Sequence, residues 1–384
     1  MKPYSTFIKH NGIKVITALS KGVDTVSNGK IYHSPFDIDV PYVGSSVKII
    51  KETEDATFIA KYDSNGKING QGFKILVTTD LHLGEEADLT EKALSMLAKH
   101  IAAEKPDLVI FTGDTVQTKY QQFDCIRFGR FMEKTGVYWA YIFGNHEARE
   151  EKEYHKYFML KNLSSFPHCL SKFGDDRLFG YGNFMINIMG SETSVLQSLF
   201  LFDSGRDIIN SYRLEYNLPE DMNGYDFLKN NQINWYKRSI TSLRKEYGDF
   251  KSMMFMHIPL CEYKEVFDFD EENKTATPTG KAEILYGSMY ESVGCSAYNS
   301  GMFKAIKEMN STQAVFAGHD HVNDFCALYD GVYLIYGQCD GYETYTMEEK
   351  TGWEEPDWIQ GVTVVNIGQD GSANFKQKFN RDYL

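Results

Sequence analysis

A chain of 384 residues, 42% hydrophobic and 24% charged, can bury a sizeable core, so disorder is excluded as its general state. Its formal charge of −13, with no Lys/Arg-rich run, argues against a partner gripped through a nucleic-acid backbone. No run of about 18 apolar residues occurs, and Met1-Lys2-Pro3-Tyr4 leads into no apolar signal core. No membrane partner is expected, and the cytoplasm is the expected compartment. The six cysteines form no CxxC pair and read as free thiols of an intracellular protein.

Residues 1–70 are rich in β-branched and turn residues, as in Ile13-Lys14-Val15-Ile16 and Val47-Lys48-Ile49-Ile50. They predict short strands, either a small N-terminal β module or hairpins extending the main sheet. From Phe73 the pattern changes to alternating strands and helices, predicting an α/β domain over 71–384. Phe73–Val77 is a short apolar run suited to a strand buried on both faces. A helix over Leu89–Glu104 follows, with Asp88 as N-cap and Leu94, Leu97, Ala98 and Ile101 as its apolar stripe. Leu108–Phe111 and Tyr138–Phe143 read as strands, and the stretch near Arg149–Leu160 as helical. Further strands are expected at Met185–Met189, Leu199–Phe202, Met253–Met256, Ala314–Phe316 and Val332–Tyr336, and helices at Gln232–Tyr247 and Gly301–Met309. Asp268–Ser300, mixing acids with Gly, Ser and Thr, reads as a long loop.

One event recurs along the chain: an apolar strand ends, and metal-ligating residue types follow at its C-terminal tip. Asp80-Leu81-His82 follows Val77, Gly113-Asp114 follows Phe111, and Gly144-Asn145-His146-Glu147 follows Phe143. His257 follows Met256, and Gly318-His319-Asp320-His321 follows Ala317. Ligands of α/β sheets bind beyond the carboxyl ends of strands, so five tips would converge on one point. Each element alone is weak, since a lone Gly-Asp is usually a turn and a lone core histidine a hydrogen-bonded one. Together they hold half of the ten histidines. Asp-x-His at a strand end would put both side chains on one face.

In this order and spacing the five segments resemble the signature motifs of the calcineurin-like metallophosphoesterase family. Phe200–Gly205, His257-Ile258-Pro259-Leu260 and Gly318–Asp324 resemble more narrowly the branch of plant purple-acid-phosphatase-29-like proteins and the yeast dosage-dependent cell-cycle regulator phosphatase. The resemblance implies a two-layer mixed β-sandwich flanked by helices, with two divalent metal ions. One ion would take Asp80, His82, Asp114 and His321; the other Asp114, Asn145, His257 and His319, with Asp114 bridging. Oxygen and imidazole ligands without thiolate suit manganese, iron or zinc.

The resemblance also implies hydrolysis of a phosphate ester, most simply a monoester, by a metal-bound hydroxide with His146 as proton donor. The substrate would be a small phosphorylated molecule or a phosphoprotein. A diesterase or nuclease on the same centre is the alternative, and a non-catalytic scaffold on the same fold a further one. Where purple enzymes place a metal-ligating tyrosine, three residues after the bridging aspartate, this chain has Gln117, so a ferric–tyrosinate centre is not expected. Glu147 is expected to orient His146 or cap the next helix, and Asp320 to point away from the metals. Arg149 reads as a solvated helix residue, and the aromatics near Tyr342 and Trp353 as packing.

Overall fold

The computed structural model describes residues 34–70, 72–147, 154–345, 347–351 and 359–384, with the backbone of four short strands before them. Those strands form two antiparallel pairs, β1 (Ile8–His10) with β2 (Ile13–Val15) and β3 (Thr25–Ser27) with β4 (Lys30–Tyr32). A nine-stranded mixed sheet contains β5 (Val47–Glu52), β6 (Ala56–Lys61), β10 (Phe184–Ser191), β11 (Ser194–Leu201), β12 (Lys251–Phe255), β15 (Ala282–Tyr286), β16 (Thr312–Ala317), β17 (Cys326–Tyr329) and β18 (Val332–Tyr336). Its order is β15-β17-β18-β16-β12-β11-β10-β6-β5, so residues 47–61 extend the main sheet as its edge hairpin. A five-stranded sheet has the order β20-β19-β7-β8-β9, from β7 (Phe73–Thr78), β8 (Leu108–Thr112), β9 (Tyr138–Ile142), β19 (Gly361–Ile367) and β20 (Ala373–Phe379).

The two sheets pack face to face, and strand alternation decides which side chains meet between them. Leu108 and Ile110 of β8 enter the inter-sheet core with Met253 and Phe255 of β12 and Phe316 of β16. Their neighbours Val109 and Phe111 face outward onto α1 (Ala87–Glu104), α2 (Gln121–Thr135) and α3 (Tyr154–Leu163). On the other outer face Met254 and Val315 meet α5 (Asn230–Tyr247) and α6 (Met302–Met309). The result is a β-sandwich covered by helices on both sides. Truncating one of these fully buried aliphatics to alanine would cost about 2–5 kcal/mol. The short helices α4 (Asn210–Glu215) and α7 (Met347–Thr351) lie outside these layers.

Several local expectations need correction. The helix expected from Leu89 begins at Ala87, with Glu86 at its N-cap and no side-chain cap bond, so Asp88 sits in the first turn. Asp268–Ser300 is not one loop: β13 (Phe267–Asp270) pairs antiparallel with β14 (Thr275–Pro278), and β15 follows, because Phe267 and Phe269 alternate with aspartates and turn one face, with Ala276, onto the core. Beyond the short turns that join these strands, the irregular part is 287–300. α2, β19 and β20 had no counterpart in the expected elements. The helix expected near Arg149 is seen from Tyr154; Arg149 and Trp353 lie outside the described residues. Among the described residues no helix is long and apolar enough to cross a membrane.

Candidate metal centre

Three tips of the five-stranded sheet and two of the nine-stranded sheet meet at one edge of the sandwich. β7 leads to Asp80 and His82, β8 to Asp114, β9 to Asn145 and His146, β12 to His257, and β16 to His319 and His321. Strand alternation does not place Asp80 and His82, because β7 has ended at Thr78. Both instead take positive φ, 51° and 42°, as do Asp114 (48°) and His319 (79°). Left-handed backbone costs a non-glycine residue about 1–2 kcal/mol, and such strain gathers at functional sites. Glycine lets the tips approach: Gly113 has φ 101°, and a Cβ there would lie 2.5 Å from His257 Nδ1. A Cβ on Gly144 would collide with the Asp114 carboxylate.

Three of the imidazoles are held by Nδ1 and offer Nε2. His257 Nδ1 donates to Thr112 O at 2.9 Å, His82 Nδ1 to Gln117 Oε1, and His321 Nδ1 pairs with Thr344 Oγ1 at 2.6 Å. The remaining nitrogens face acceptors or one another: His82 Nε2 lies 3.1 Å from His321 Nε2, and His257 Nε2 lies 2.8 Å from Asn145 Oδ1. Acceptors converge in this way around a cation or a trapped proton.

The carboxylates repeat the pattern. Asp80 Oδ2 accepts from Thr79 Oγ1 (2.7 Å) and His319 N (2.9 Å), and Asp114 Oδ1 from His146 N (2.7 Å). Asp80 Oδ1 and Asp114 Oδ2 are buried without a hydrogen-bond donor. Asp80 Oδ1 lies 3.4 Å from His321 Nε2 and 3.6 Å from His82 Nε2. Asp114 Oδ2 lies 3.2 Å from His257 Nε2 and 3.8 Å from His82 Nε2, between the two groups. A buried carboxylate oxygen left without a donor is costly unless a cation completes it. Ligand atoms of Asp80, His82 and His321 lie within 4.8 Å of one another, as do those of Asp114, His257 and His319, and those of His82, Asp114 and His146. The residues present therefore fit two ions, with Asp114 between them.

Charge balance tells the same story. Burial would raise Asp80 and Asp114, but the His257 imidazole and its neighbours outweigh it and hold both well below the usual carboxylate range. Burial lowers His257, yet Asp114 and Asp80 lift it to about 10. His319, buried and facing His257, falls to about 3. A positive charge is favoured beside Asp114, which a proton on His257 supplies when no ion does.

His146 is less enclosed: its ring is 21% exposed and opens on a cleft of about 450 Å³. Its Nε2 lies 3.9 Å from Asp114 Oδ2. Glu147 departs from expectation, because its carboxylate turns to the tip after β8 rather than to His146. It accepts the N–H groups of Asp114, Thr115, Val116 and Gly144 and the Tyr141 hydroxyl. Asp320 points away from the centre, accepting Gly294 N–H and the Tyr336 hydroxyl.

The cleft also presents residues that sequence reasoning missed. Tyr225 sets its ring edge on His319 at 4.2 Å, and Tyr345 stacks on His321 at 4.3 Å. Arg206 and Lys350 bring positive charge, Lys350 bridged to Glu291 at 2.9 Å. These segments carry no motif; only proximity in sequence to Phe200–Gly205 could have pointed to Arg206. Tyr342 packs as expected, under the Lys92 ammonium.

Residues 73–323 match the calcineurin-like phosphoesterase family. The chain is 29% identical over 336 residues to a protein named probable inactive purple acid phosphatase 29 from Arabidopsis thaliana, covering 79% of this chain and 78% of that one. It is 28% identical over 293 residues to phosphatase DCR2 of Saccharomyces cerevisiae, covering 69% of this chain and 47% of that one. A dimetal phosphatase from Danio rerio superposes with a TM-score of 0.52 at 13% identity, over 81% of this chain and 97% of that one, a likeness of fold. With the motif order, the sandwich and the two-group centre in agreement, this chain belongs to the calcineurin-like phosphoesterase family.

Proposed function

We propose that the chain hydrolyses phosphate monoesters at a centre of two divalent metal ions, manganese, iron or zinc. The ions are held by Asp80, His82, Asp114 and His321 on one side and by Asp114, Asn145, His257 and His319 on the other. The observation that carries this reading is the pair of buried, donorless oxygens, Asp80 Oδ1 and Asp114 Oδ2, aimed into a ring of imidazole nitrogens. Two bound ions supply Lewis acidity and a lowered pKa for water.

The chain's own groups do the rest. Thr112, Gln117 and Thr344 fix the imidazoles so that Nε2 faces inward. Asp114, with one oxygen tied to His146 N, keeps the other midway between the two groups. His146 stands at the cleft wall, where a proton on its ring can pass to a departing ester oxygen. Arg206 and Lys350 offset the acidic surface around the cleft and favour a dianionic phosphate. A small phosphorylated molecule fits the cleft; a phosphoprotein would present a side chain to it.

The test is a metal analysis of untreated protein with phosphate release measured on p-nitrophenyl phosphate and bis-p-nitrophenyl phosphate. About two metals per chain and a faster monoester reaction are expected. A faster diester reaction would replace monoesterase by diesterase, and full metal content without turnover on any ester would leave a scaffold.

A further inference from the structure

Cys261 and Cys295 lie outside the ligand set. Cys261 opens a 3-10 turn, Cys261–Glu265, just past His257-Ile258-Pro259-Leu260. Cys295 follows Gly294, whose N–H is given to Asp320, in the irregular segment that forms one wall of the cleft. The two thiols approach one another although they lie 34 positions apart in sequence. Each Sγ donates to the same carbonyl, Ser296 O, at 3.4 Å. Sharing one acceptor brings them close enough for each to shift the ionisation of the other.

The pair differs from the other four cysteines. Burial pushes Cys169 and Cys326 up to about 12 and raises Cys125 and Cys339 further, the inert state of a core thiol. Cys295 moves the opposite way, to about 7: the Cys261 thiol stabilises its anion and, against partial burial, so does the Lys264 ammonium. Cys261 moves up in return, keeping its proton. Access runs through Cys261 and Ser296, which line a small surface cavity with Pro259 and Met302; Cys261 is half-buried, and Cys295 is buried at the position next to Ser296. A thiolate, a second thiol in contact and a nearby cation are what a reactive pair requires.

We propose that Cys261 and Cys295 are a peroxide-reactive thiol pair that closes into a disulfide, with Cys295 as the attacking sulfur. The Cys295 thiolate attacks one peroxide oxygen, the O–O bond breaks, hydroxide leaves, and Cys295 becomes a sulfenic acid. The Cys261 sulfur then attacks Cys295; the S–O bond breaks, and the Cys261 proton leaves with the hydroxyl as water. Two thiols are oxidised by two electrons, and one peroxide is reduced to two waters. The bridge would tie the cleft wall carrying Glu291–Gly294 to the turn that follows His257.

The experiment treats the purified full chain with hydrogen peroxide, alkylates remaining thiols and maps cysteines by peptide mass spectrometry. A Cys261–Cys295 cross-link is expected, with Cys125, Cys169, Cys326 and Cys339 alkylated. In Cys261→Ser, oxidation should stop at a sulfenic acid on Cys295, trapped by dimedone. In Cys295→Ser, peroxide consumption should fall at least about tenfold. Independently of any variant, the wild-type rate should rise with pH to a midpoint near 7, not above 8. No cross-link in the wild type, a midpoint above 8, or dimedone on Cys261 at the wild-type rate would each overturn the proposal. None of these readouts depends on phosphatase turnover.

Discussion

Glu147 holds the backbone of Asp114: one carboxylate oxygen accepts the Asp114 N–H at 2.9 Å and the Gly144 N–H at 2.6 Å. The other accepts Thr115 N–H and the Tyr141 hydroxyl, each at 2.6 Å. The strand tips after β8 and β9 are thus joined through a single buried side chain, and Asp114 can keep its left-handed backbone. Glu147→Gln turns amide hydrogens toward backbone donors. Since each buried group left unsatisfied costs about 1–3 kcal/mol, the melting temperature should drop by several degrees. Metal affinity should fall with it, and calorimetric titration with Mn²⁺ on the folded variant checks this. Wild-type affinity would show that Asp114 is positioned without Glu147.

Asp114 itself lies between both groups of ligands. Asp114→Asn keeps the shape but removes the negative charge that offsets two cations. Metal content measured by mass spectrometry should fall at both sites, and turnover should nearly vanish. Retention of two ions at the normal rate would refute the bridging assignment.

His82 depends on Gln117, whose amide oxygen fixes the ring so that Nε2 faces Asp80 and His321. Loss of a hydrogen-bond partner behind a metal-ligating histidine costs about 10–100-fold in metal affinity, so Gln117→Ala should weaken one site by that factor and spare the other. Because glutamine gives no phenolate, iron-loaded wild-type protein should show no intense visible band. A strong absorption lost on reduction would mean that another tyrosine reaches the centre.

For His146 the discriminating quantity is the leaving group. An alkyl phosphate expels a poor leaving oxygen, so His146→Asn should lower kcat/KM by about 10²–10⁴-fold. With p-nitrophenyl phosphate, whose phenolate departs unaided, the loss should be far smaller. Equal losses at full metal content would reject proton donation in favour of charge stabilisation. Lost metal would make His146 a ligand beside His82 and Asp114, which its position also permits.

Asp324 supplies a pH test away from the ligand atoms. Burial lifts its carboxyl from 3.8 to about 6, although Ser288 N–H and the Gln377 amide favour its anion. A raised acid binds its proton more tightly when folded. Its contribution to stability is therefore present below about pH 4 and lost as pH rises through about 6. A tenfold change in acidity corresponds to about 1.4 kcal/mol, so the whole effect is at most a few kcal/mol. The difference in unfolding free energy between wild type and Asp324→Asn should change across pH 4–6 and stay flat above 7. A difference constant from pH 4 to 8 would show that Asp324 ionises normally.

The ligand types and the strands that present them were legible in the sequence. Asp80, Asp114, Asn145, His257 and His319 each follow an apolar run long enough to read as a buried strand, and α5 showed its helical period. α2 was not legible, because Arg127, Gly129 and Arg130 interrupt its apolar stripe, and Phe128 and Phe131 become core only when β8 and β9 lie beneath them. β19 and β20 were missed because a hairpin reads as strand only once β7 offers an edge to pair with. Tertiary structure alone decided that Asp80 and His82 take left-handed backbone, that Glu147 serves Asp114 rather than His146, and that Tyr225, Glu291 and Tyr345 face one cleft. Local sequence determines the period and chemistry of each segment. Which side chains meet across the sandwich depends on sheet order and register, set by the burial of both sheets at once.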